Sequence, residues 1–337
     1  MSNKIRLPDG SEYRCASDDT LLRAGLRSGL GFPYECNAGS CGTCKVELTE
    51  GRIDSLRPDA PGLTDRDREK NRVLACQAQP RGDCAIKVRL RPENVPLNRP
   101  ARFEATLQGV RDLTHDMREF TFRAKGSPAF LPGQYALFYL PGLDAPRTYS
   151  MSNADDGSGT WQFIVRRVLG GVGTVTLFDR VPIGASITLD GPYGLAYLRT
   201  SSPRDLVLIG GGSGLAPMLS IARGAIREPA LDERHIHLFY GAREVQDLCG
   251  HHELQALPGY GTRITFTPVL SQVPDDALET WKGARGFVHE VARDFVGERW
   301  ANFEYYFAGP PPMAQAVQQM LIEKRVPFPQ VHFDSFY

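Results

Sequence analysis

Apolar and polar residues follow three distinct textures along the chain. Up to about residue 90 the apolar positions come in short β-like runs, the last of them Cys84–Leu90. Residues 91–100 then hold three prolines and few apolar anchors, which predicts an extended linker. From 101 to 200 strands are predicted at Arg102–Val110, Met117–Arg123, Tyr135–Leu140, Trp161–Val168 and Ala185–Leu189, spaced by Pro-Gly, Asp-Gly and Gly-Gly pairs. Many strands at short intervals predict a small antiparallel β-barrel or sandwich. After Pro203 the run Leu206–Ile209 is continuously apolar, as a strand buried on both faces of a parallel sheet would be. A glycine tract, a helical stretch over Ala216–Ile226, and strands at His235–Tyr240, Arg263–Val269 and Glu304–Ala308 follow. That alternation predicts a doubly wound parallel α/β domain. The expected division is therefore 1–90, a linker over 91–100, 101–200 and 201–337.

Length agrees with several units, since 337 residues exceed one domain of roughly 100–200. Lys+Arg and Asp+Glu both total 39, and zero net charge argues against a dedicated nucleic-acid binder. The longest apolar runs fall far short of a membrane span, and the N-terminal residues lack an apolar stretch of signal-peptide length. The expectation is a soluble, cytoplasmic protein without nucleic-acid or membrane partners.

Cysteine placement changes the picture most. Six of the seven cysteines lie in the first 84 residues, and an odd number does not suit a disulfide framework. Cys36, Cys41 and Cys44 form C-x4-C-x2-C, with Cys76 after 31 intervening residues. This is the plant-type spacing for a 2Fe–2S cluster. Gly39 and Gly42 let the loop turn tightly and aim amide N–H groups at sulfur. The alternatives are a zinc site, for which a second close cysteine pair is absent, or inert buried thiols. Cys15, Cys84 and Cys249 stand outside the pattern and are expected to be ordinary buried thiols.

Residues 1–90 resemble a plant-type ferredoxin, a β-grasp fold, through Phe32–Cys36, Val73–Gln77 and the four cysteines. Further on, Arg147-Thr148-Tyr149-Ser150 resembles the R-x-Y-[ST] signature of the ferredoxin–NAD(P)⁺ reductase superfamily. Taken alone these four residues read as cross-strand surface pairing. The upstream Pro132-Gly133-Gln134-Tyr135 and the downstream Val165–Thr174 resemble the family's other flavin segments. The resemblance implies FAD, with Arg147 on the diphosphate, Tyr149 against the ring and Ser150 near the reactive nitrogen. Val165, Arg166, Val172, Gly173 and Thr174 would contribute around a helix start that meets the diphosphate. Gly191-Pro192-Tyr193-Gly194 resembles a turn that closes the barrel.

Gly210–Pro217 resembles the GGGTG-[IL]-AP segment of the same superfamily, with Ser213 where Thr is usual. It implies nicotinamide coenzyme contacts at Gly212, Ser213 and Gly214, joined by Gly241 and Arg243 after the second strand and by Gly309 and Pro310 after Ala308. Ala308 stands where the family has cysteine. The terminal Asp334-Ser335-Phe336-Tyr337 is similar to the superfamily's acidic-x-aromatic end, which implies Phe336 over the flavin and Asp334 near it. A hydrophobic anchor for the last strand is the other reading of this tail. With Ser150, these two form the implied catalytic set.

The order ferredoxin, flavin barrel, nicotinamide domain resembles the reductase component of multicomponent aromatic-ring oxygenases, of the benzoate and naphthalene dioxygenase reductase type. The implied function is electron transfer from NADH through FAD and a 2Fe–2S cluster to a terminal oxygenase, directly or through a separate ferredoxin, by a monomeric protein. Reductases of diiron monooxygenases or deoxysugar dehydratases share this order. A redox-sensing flavoprotein without turnover and a zinc scaffold are readings of other classes. NADH is expected over NADPH, whose 2′-phosphate adds about two negative charges. The strand ends Ala242-Arg243-Glu244, with Arg243 expected to stack on adenine or pair with Glu244. Residues 1–90 hold 15 Lys+Arg against 13 Asp+Glu, so the sequence marks out no docking face.

Overall fold

A computed structural model describes residues 2–273 and 281–334. Its first part contains strands β1 (Ser2–Arg6), β2 (Glu12–Ala16), β3 (Lys45–Glu50), β4 (Ile53–Ser55), β5 (Arg72–Leu74), β6 (Ala78–Pro80) and β7 (Cys84–Lys87). Five of them make a mixed sheet in the order β2-β1-β7-β3-β5, and β4 pairs with β6. Helix α1 (Leu21–Arg27) starts where the Thr20 side chain accepts from Arg23 N, and buries Leu21, Leu22, Ala24 and Leu26. A mixed sheet with a helix laid across it is the expected β-grasp. Helix α2 (Asp65–Glu69) carries a Thr64/Asp67 capping box.

Residues 91–100 are not a free extended linker. Pro92–Asn94 form a 3₁₀ turn, Arg91 N donates to Gly31 O at 2.8 Å, and the buried Asn94 donates to Phe32 O at 3.0 Å. Prolines stiffen the backbone and the amide side chain finds a buried carbonyl, so the segment packs against the Gly31–Phe32 stretch after α1.

The second part contains β8 (Ala101–Asp112), β9 (Met117–Arg123), β10 (Tyr135–Tyr139), β11 (Arg147–Ser150), β12 (Thr160–Arg166) and β13 (Ser186–Tyr193), with helix α3 (Val172–Arg180) after β12. They form an antiparallel sheet ordered β11-β10-β13-β8-β9-β12. A bridge between Met151 and Phe163 joins its two edges, closing it to a barrel. Phe122, Phe138, Trp161 and Phe163 fill the interior, with Phe138 and Phe163 edge to face at 4.6 Å. Gly191–Tyr193, expected as a turn, continue β13, because Tyr193 pairs with Tyr135 beyond a bulge in β13.

The third part holds β14 (Asp205–Gly211), β15 (Ile236–Ala242), β16 (Ile264–Leu270), β17 (Ala284–Arg285), β18 (Phe303–Ala308) and β19 (Val331–His332). All run parallel in the order β17-β16-β15-β14-β18-β19. Helices α4 (Leu215–Arg227), α5 (His251–Gln255), α6 (Val288–Val296) and α7 (Pro311–Glu323) connect them, and separate apolar clusters cover the two sheet faces. Strand order reverses between β14 and β18, the place where doubly wound sheets open a crevice.

A buried polar seam joins the first sheet to the barrel. Asp190 of β13 is fully buried and accepts from Arg27 Nη2 at 2.5 Å and Tyr193 Oη at 2.8 Å. Arg102 of β8 reaches Asp18 at 2.7 Å, and Arg27 also pairs with Asp19. Arg23, itself buried, donates to Asn37 Oδ1 at 3.1 Å and to Tyr139 Oη at 3.3 Å. Removing one member of such a network leaves charge stranded away from water. Asp190→Ala is expected to cost about 3–5 kcal/mol and Asp190→Asn less, read as a lowered denaturant midpoint; an unchanged midpoint for Asp190→Ala would contradict the seam's role.

Candidate functional site

The cysteine loop runs from α1 to β3, and Cys76 follows β5. Two thiol pairs face each other: Cys36 with Cys41, and Cys44 with Cys76. The backbone N–H groups of Ala38 and Cys41 donate to Cys36 Sγ at 3.4 and 3.5 Å, and the Gln77 amide donates to Cys76 Sγ at 3.3 Å. Contact with the Cys41 thiol, aided by these amides, holds the Cys36 thiol down to about 6. The Cys44 thiol, then Gln77 and the Arg23 guanidinium, lower Cys76 in the same way, whereas Cys41 and Cys44 are pushed up by their partners and by burial. Gly39 and Gly42 take φ of +88° and +75°, and a Cβ on Gly42 would stand 2.7 Å from Gly62 O.

This donor set fits two irons better than one zinc. Ligand sulfurs around a single tetrahedral zinc with bonds of about 2.3 Å would sit about 3.8 Å apart. Among the described residues, the cysteines form no group of three whose ligand atoms lie within 4.8 Å of one another. Cys15 and Cys84 are buried as expected; Cys249 is only half-buried, in the loop between the 3₁₀ turn Val245–Asp247 and α5, 3.4 Å from Tyr240 Oη.

Beside the cysteine loop stands β11. Thr148 Oγ1 donates to Cys36 O at 3.3 Å, and Tyr135 Oη of β10 donates to Glu35 O. Among the described residues Arg147 donates only to its own loop, at Ala145 O and Pro146 O, and its stem lies over the first turn of α3. A Cβ on Gly173 would meet Arg147 Cγ at 2.9 Å, and Gly171 caps the helix without a side-chain acceptor. The first-turn amides of α3 and the Arg147 guanidinium thus form a cradle suited to a diphosphate. Leu169 and Val172 beside it are 99% and 63% exposed, apolar surface that fits contact with a bound group. Tyr149 packs edge-on against Phe138 at 4.9 Å. The Thr174 hydroxyl is bound to Val168 N and Gly171 O, so it shapes the loop. The Val165 side chain lies inside the barrel, leaving only its backbone to face a ligand.

Ser150, Met218, Ala308, His332 and Asp334 line one small crevice where barrel and parallel sheet meet. Burial pushes the Asp334 carboxyl up to about 8, with Glu35 adding to it, and its Oδ1 has no hydrogen-bond partner among the described residues. Ser150 and Asp334, both in the catalytic set implied by sequence, line this same crevice, whereas Phe336 lies outside the described residues.

At the C-terminal ends of β14, β15 and β18 a cleft of about 540 Å³ opens, within the range of small-molecule sites. Gly212, Gly241, Arg243, Arg166 and Pro310 line it. Close approach explains the glycines: a Cβ on Gly214 would lie 2.1 Å from Ala308 O, and one on Gly309 2.5 Å from Met313 Cε. Ser213 and Gly214 form the 3₁₀ turn that leads into α4. Arg166, grouped by sequence with the flavin segment, turns instead into this cleft, bound to Asp116 at 2.6 Å. Arg243 pairs with Asp247 at 3.2 Å and not with Glu244, because the 3₁₀ turn after β15 carries Asp247 back to the strand end. Sequence reading missed Asp116 and Asp247 altogether; each is a lone carboxylate whose place in the cleft depends on packing between the barrel and the parallel sheet.

Three family descriptions match the chain in order: 2Fe-2S iron-sulfur cluster binding domain over residues 5–81, oxidoreductase FAD-binding domain over 104–197, and oxidoreductase NAD-binding domain over 208–319. The chain is 40% identical to ferredoxin–NAD(P)(+) reductase CarAd of Metapseudomonas resinovorans, over 99% of both chains. It is 36% identical to the ferredoxin–NAD(+) reductase component of the alkene monooxygenase system of Xanthobacter autotrophicus, over 98% of this chain and 100% of that one. It is also 34% identical to the reductase component of the naphthalene 1,2-dioxygenase system of Pseudomonas putida, over 94% and 93% of the two chains. The solved ferredoxin reductase in carbazole 1,9a-dioxygenase superposes with a TM-score of 0.92 at 36% identity, covering 100% of this chain and 99% of that one.

Two outcomes follow from this geometry. Cys→Ser at Cys36, Cys41, Cys44 or Cys76 is expected to lower iron content, and Cys15→Ser or Cys84→Ser to leave it intact; iron analysis of the purified variants is the check. Arg147→Ala is expected to weaken flavin retention after dilution by about 1.5–3 kcal/mol, the worth of a charge-assisted contact.

Proposed function

The chain belongs to the iron–sulfur flavoprotein reductases that feed electrons into oxygenase systems, and on that premise we propose how its residues divide the work. It is an oxidoreductase with 2Fe–2S, FAD and NAD domains in that order. When bound, these groups turn one two-electron donation by NADH into single-electron transfers toward an oxygenase component. We assign the cluster to Cys36, Cys41, Cys44 and Cys76. Arg147 and the opening amides of α3 hold the FAD diphosphate, with Thr148, Tyr149 and Ser150 along the ring. The glycine turn at 212–214, Gly241, Gly309 and Pro310 receive the coenzyme. Asp334, protonated up to about pH 8, keeps negative charge away from the crevice it shares with Ser150.

One observation carries this reading: Thr148, within the flavin-type strand, hydrogen-bonds the carbonyl of Cys36 at 3.3 Å. Electron passage from barrel to cysteine loop then needs no domain rearrangement. The partner we favour is an aromatic-ring oxygenase, reached directly or through a separate ferredoxin, and the chain works as a cytoplasmic monomer divided at 1–90, 101–200 and 201–337. Among the described residues no helix is long and apolar enough to cross a membrane. Anaerobic addition of NADH tests the reading: the flavin and cluster absorbance should bleach together, and a colourless protein or one indifferent to NADH would overturn it.

Coenzyme preference follows from the cleft. Asp247 ties up Arg243, the cation that would otherwise meet a 2′-phosphate, and with Asp116 places negative charge in the cleft. NADH is expected to exceed NADPH in kcat/KM by about ten- to a hundredfold, each factor of ten being about 1.4 kcal/mol. Asp247→Ala should narrow that gap by freeing Arg243. Equal use of both coenzymes by the unmodified protein would show that Arg243 escapes its partner.

A further inference from the structure

The cysteine loop has two sides, and only one meets the barrel. Glu35 O and Cys36 O are held by Tyr135 and Thr148. On the other side Gly62 N donates to Gly39 O at 3.0 Å, Ala60 sits beneath Gly39, and Arg57 reaches Ala38 O at 3.5 Å. Of these, Arg57 and Ala60 also line an open groove of about 940 Å³ between the β4–β6 ladder and α2. Among the described residues no hydrogen bond or ion pair ties this groove to the barrel.

Its charge is one-sided. Five arginines line it, Arg52, Arg57, Arg68, Arg72 and Arg81, against two carboxylates, Glu50 and Asp54. Both carboxylates are already engaged, Glu50 by Arg6 at 2.8 Å and Asp54 by Arg81 at 2.5 Å. Arg72 is held by Asp67 at 3.1 Å. Arg57 and Arg68 donate to the carbonyls of Ala38 and Pro58, at 3.5 and 2.9 Å, and their carboxylate contacts are 3.9 Å approaches to Asp59 and Asp65, which lie out in solvent where such pairs are weak. Arg52 has no side-chain partner among the described residues. Between the arginines the floor is apolar, with Leu48, Ile53, Leu63 and Val73 partly exposed. An apolar centre ringed by arginine is the composition of a protein-recognition surface, and it stands out on a chain whose net charge is zero.

We propose that this arginine-walled groove is the docking surface for the protein that takes electrons from the chain, and that the partner meets it with an acidic face. The proposal rests on the reading of the chain as an electron-transfer reductase. Electron transfer falls off steeply with distance, so an acceptor must approach the cysteine loop from the side the barrel leaves open. The groove wall is continuous with that side. Each NADH, oxidised to NAD⁺ and a proton, supplies two electrons; one leaves at each docking, so two acceptors are reduced by one electron each. Complementary charge speeds encounter and sets orientation.

The test uses the holoprotein, its Arg52→Glu/Arg68→Glu double variant and the Arg52→Lys/Arg68→Lys control. Three measurements are made on each: NADH-driven bleaching of the chain's own cluster, steady-state reduction of an acidic 2Fe–2S ferredoxin, and reduction of the basic protein cytochrome c. In the double glutamate variant the KM for the acidic ferredoxin should rise about tenfold or more. Added salt should raise the same KM in the unmodified protein, and the lysine control should match the unmodified protein. Bleaching by NADH and cytochrome c reduction should not fall. An unchanged ferredoxin KM in the glutamate variant, with bleaching intact, would place docking elsewhere and overturn the proposal. Cytochrome c reduction without any ferredoxin reduction by the unmodified protein would overturn the acidic-partner assignment. Failure of NADH to bleach the unmodified protein would instead overturn the reductase reading itself.

Discussion

Everything in this molecule depends on a charged seam closed away from water. Asp190 has no exposed surface, and its carboxylate holds Arg27 from the first sheet and Tyr193 from its own strand. Arg23, equally buried, links Asn37 in the cysteine loop to Tyr139 in the barrel. Buried charges are tolerated only when paired and hydrogen-bonded, so the two bodies have one low-energy way to meet. That docking sets the cysteine loop against β11 and leaves its opposite side open.

The consequence is a division of labour by surface. Ser150, Ala308 and Asp334 meet where barrel and parallel sheet join, Thr148 touches the cysteine loop, and the arginine groove lies beyond that loop. On the proposed reading, two-electron chemistry and one-electron exit occupy different seams of the molecule. Specific glycines permit the close approaches. Gly214 lies too near Ala308 O for any side chain, and a Cβ on Gly42 would stand 2.7 Å from Gly62 O. The neighbouring Gly212 adopts φ of +54°, in the region that favours glycine.

Local chemistry was readable wherever it depends on neighbours in sequence. The C-x4-C-x2-C loop, the R-T-Y-S strand and the glycine turn after β14 each carry their chemistry within a few residues. The strand Met117–Arg123 falls where its alternation predicts. Less legible were features whose partners are remote. Residues 91–100 look like a free linker until Asn94 finds Phe32 O, and Arg243 looks like a partner for Glu244 until the next turn brings Asp247 back. Arg166 follows the flavin-type strand in sequence yet faces the coenzyme cleft, because Asp116 from the β8–β9 hairpin holds it there.

The sequence by itself determined the three folds, their order and the motifs that mark candidate cofactor positions, since periodicity and motif spacing are properties of contiguous chain. Tertiary structure alone decided how those folds face one another. It paired Cys36 with Cys41 and Cys44 with Cys76, buried Asp334 until its proton is held to about pH 8, and gathered Arg52, Arg57 and Arg68 around one groove in a segment whose net charge gave no hint of it. Desolvation and charge–charge contact depend on distance in space, and no run of residues records the distance between segments until packing has set it.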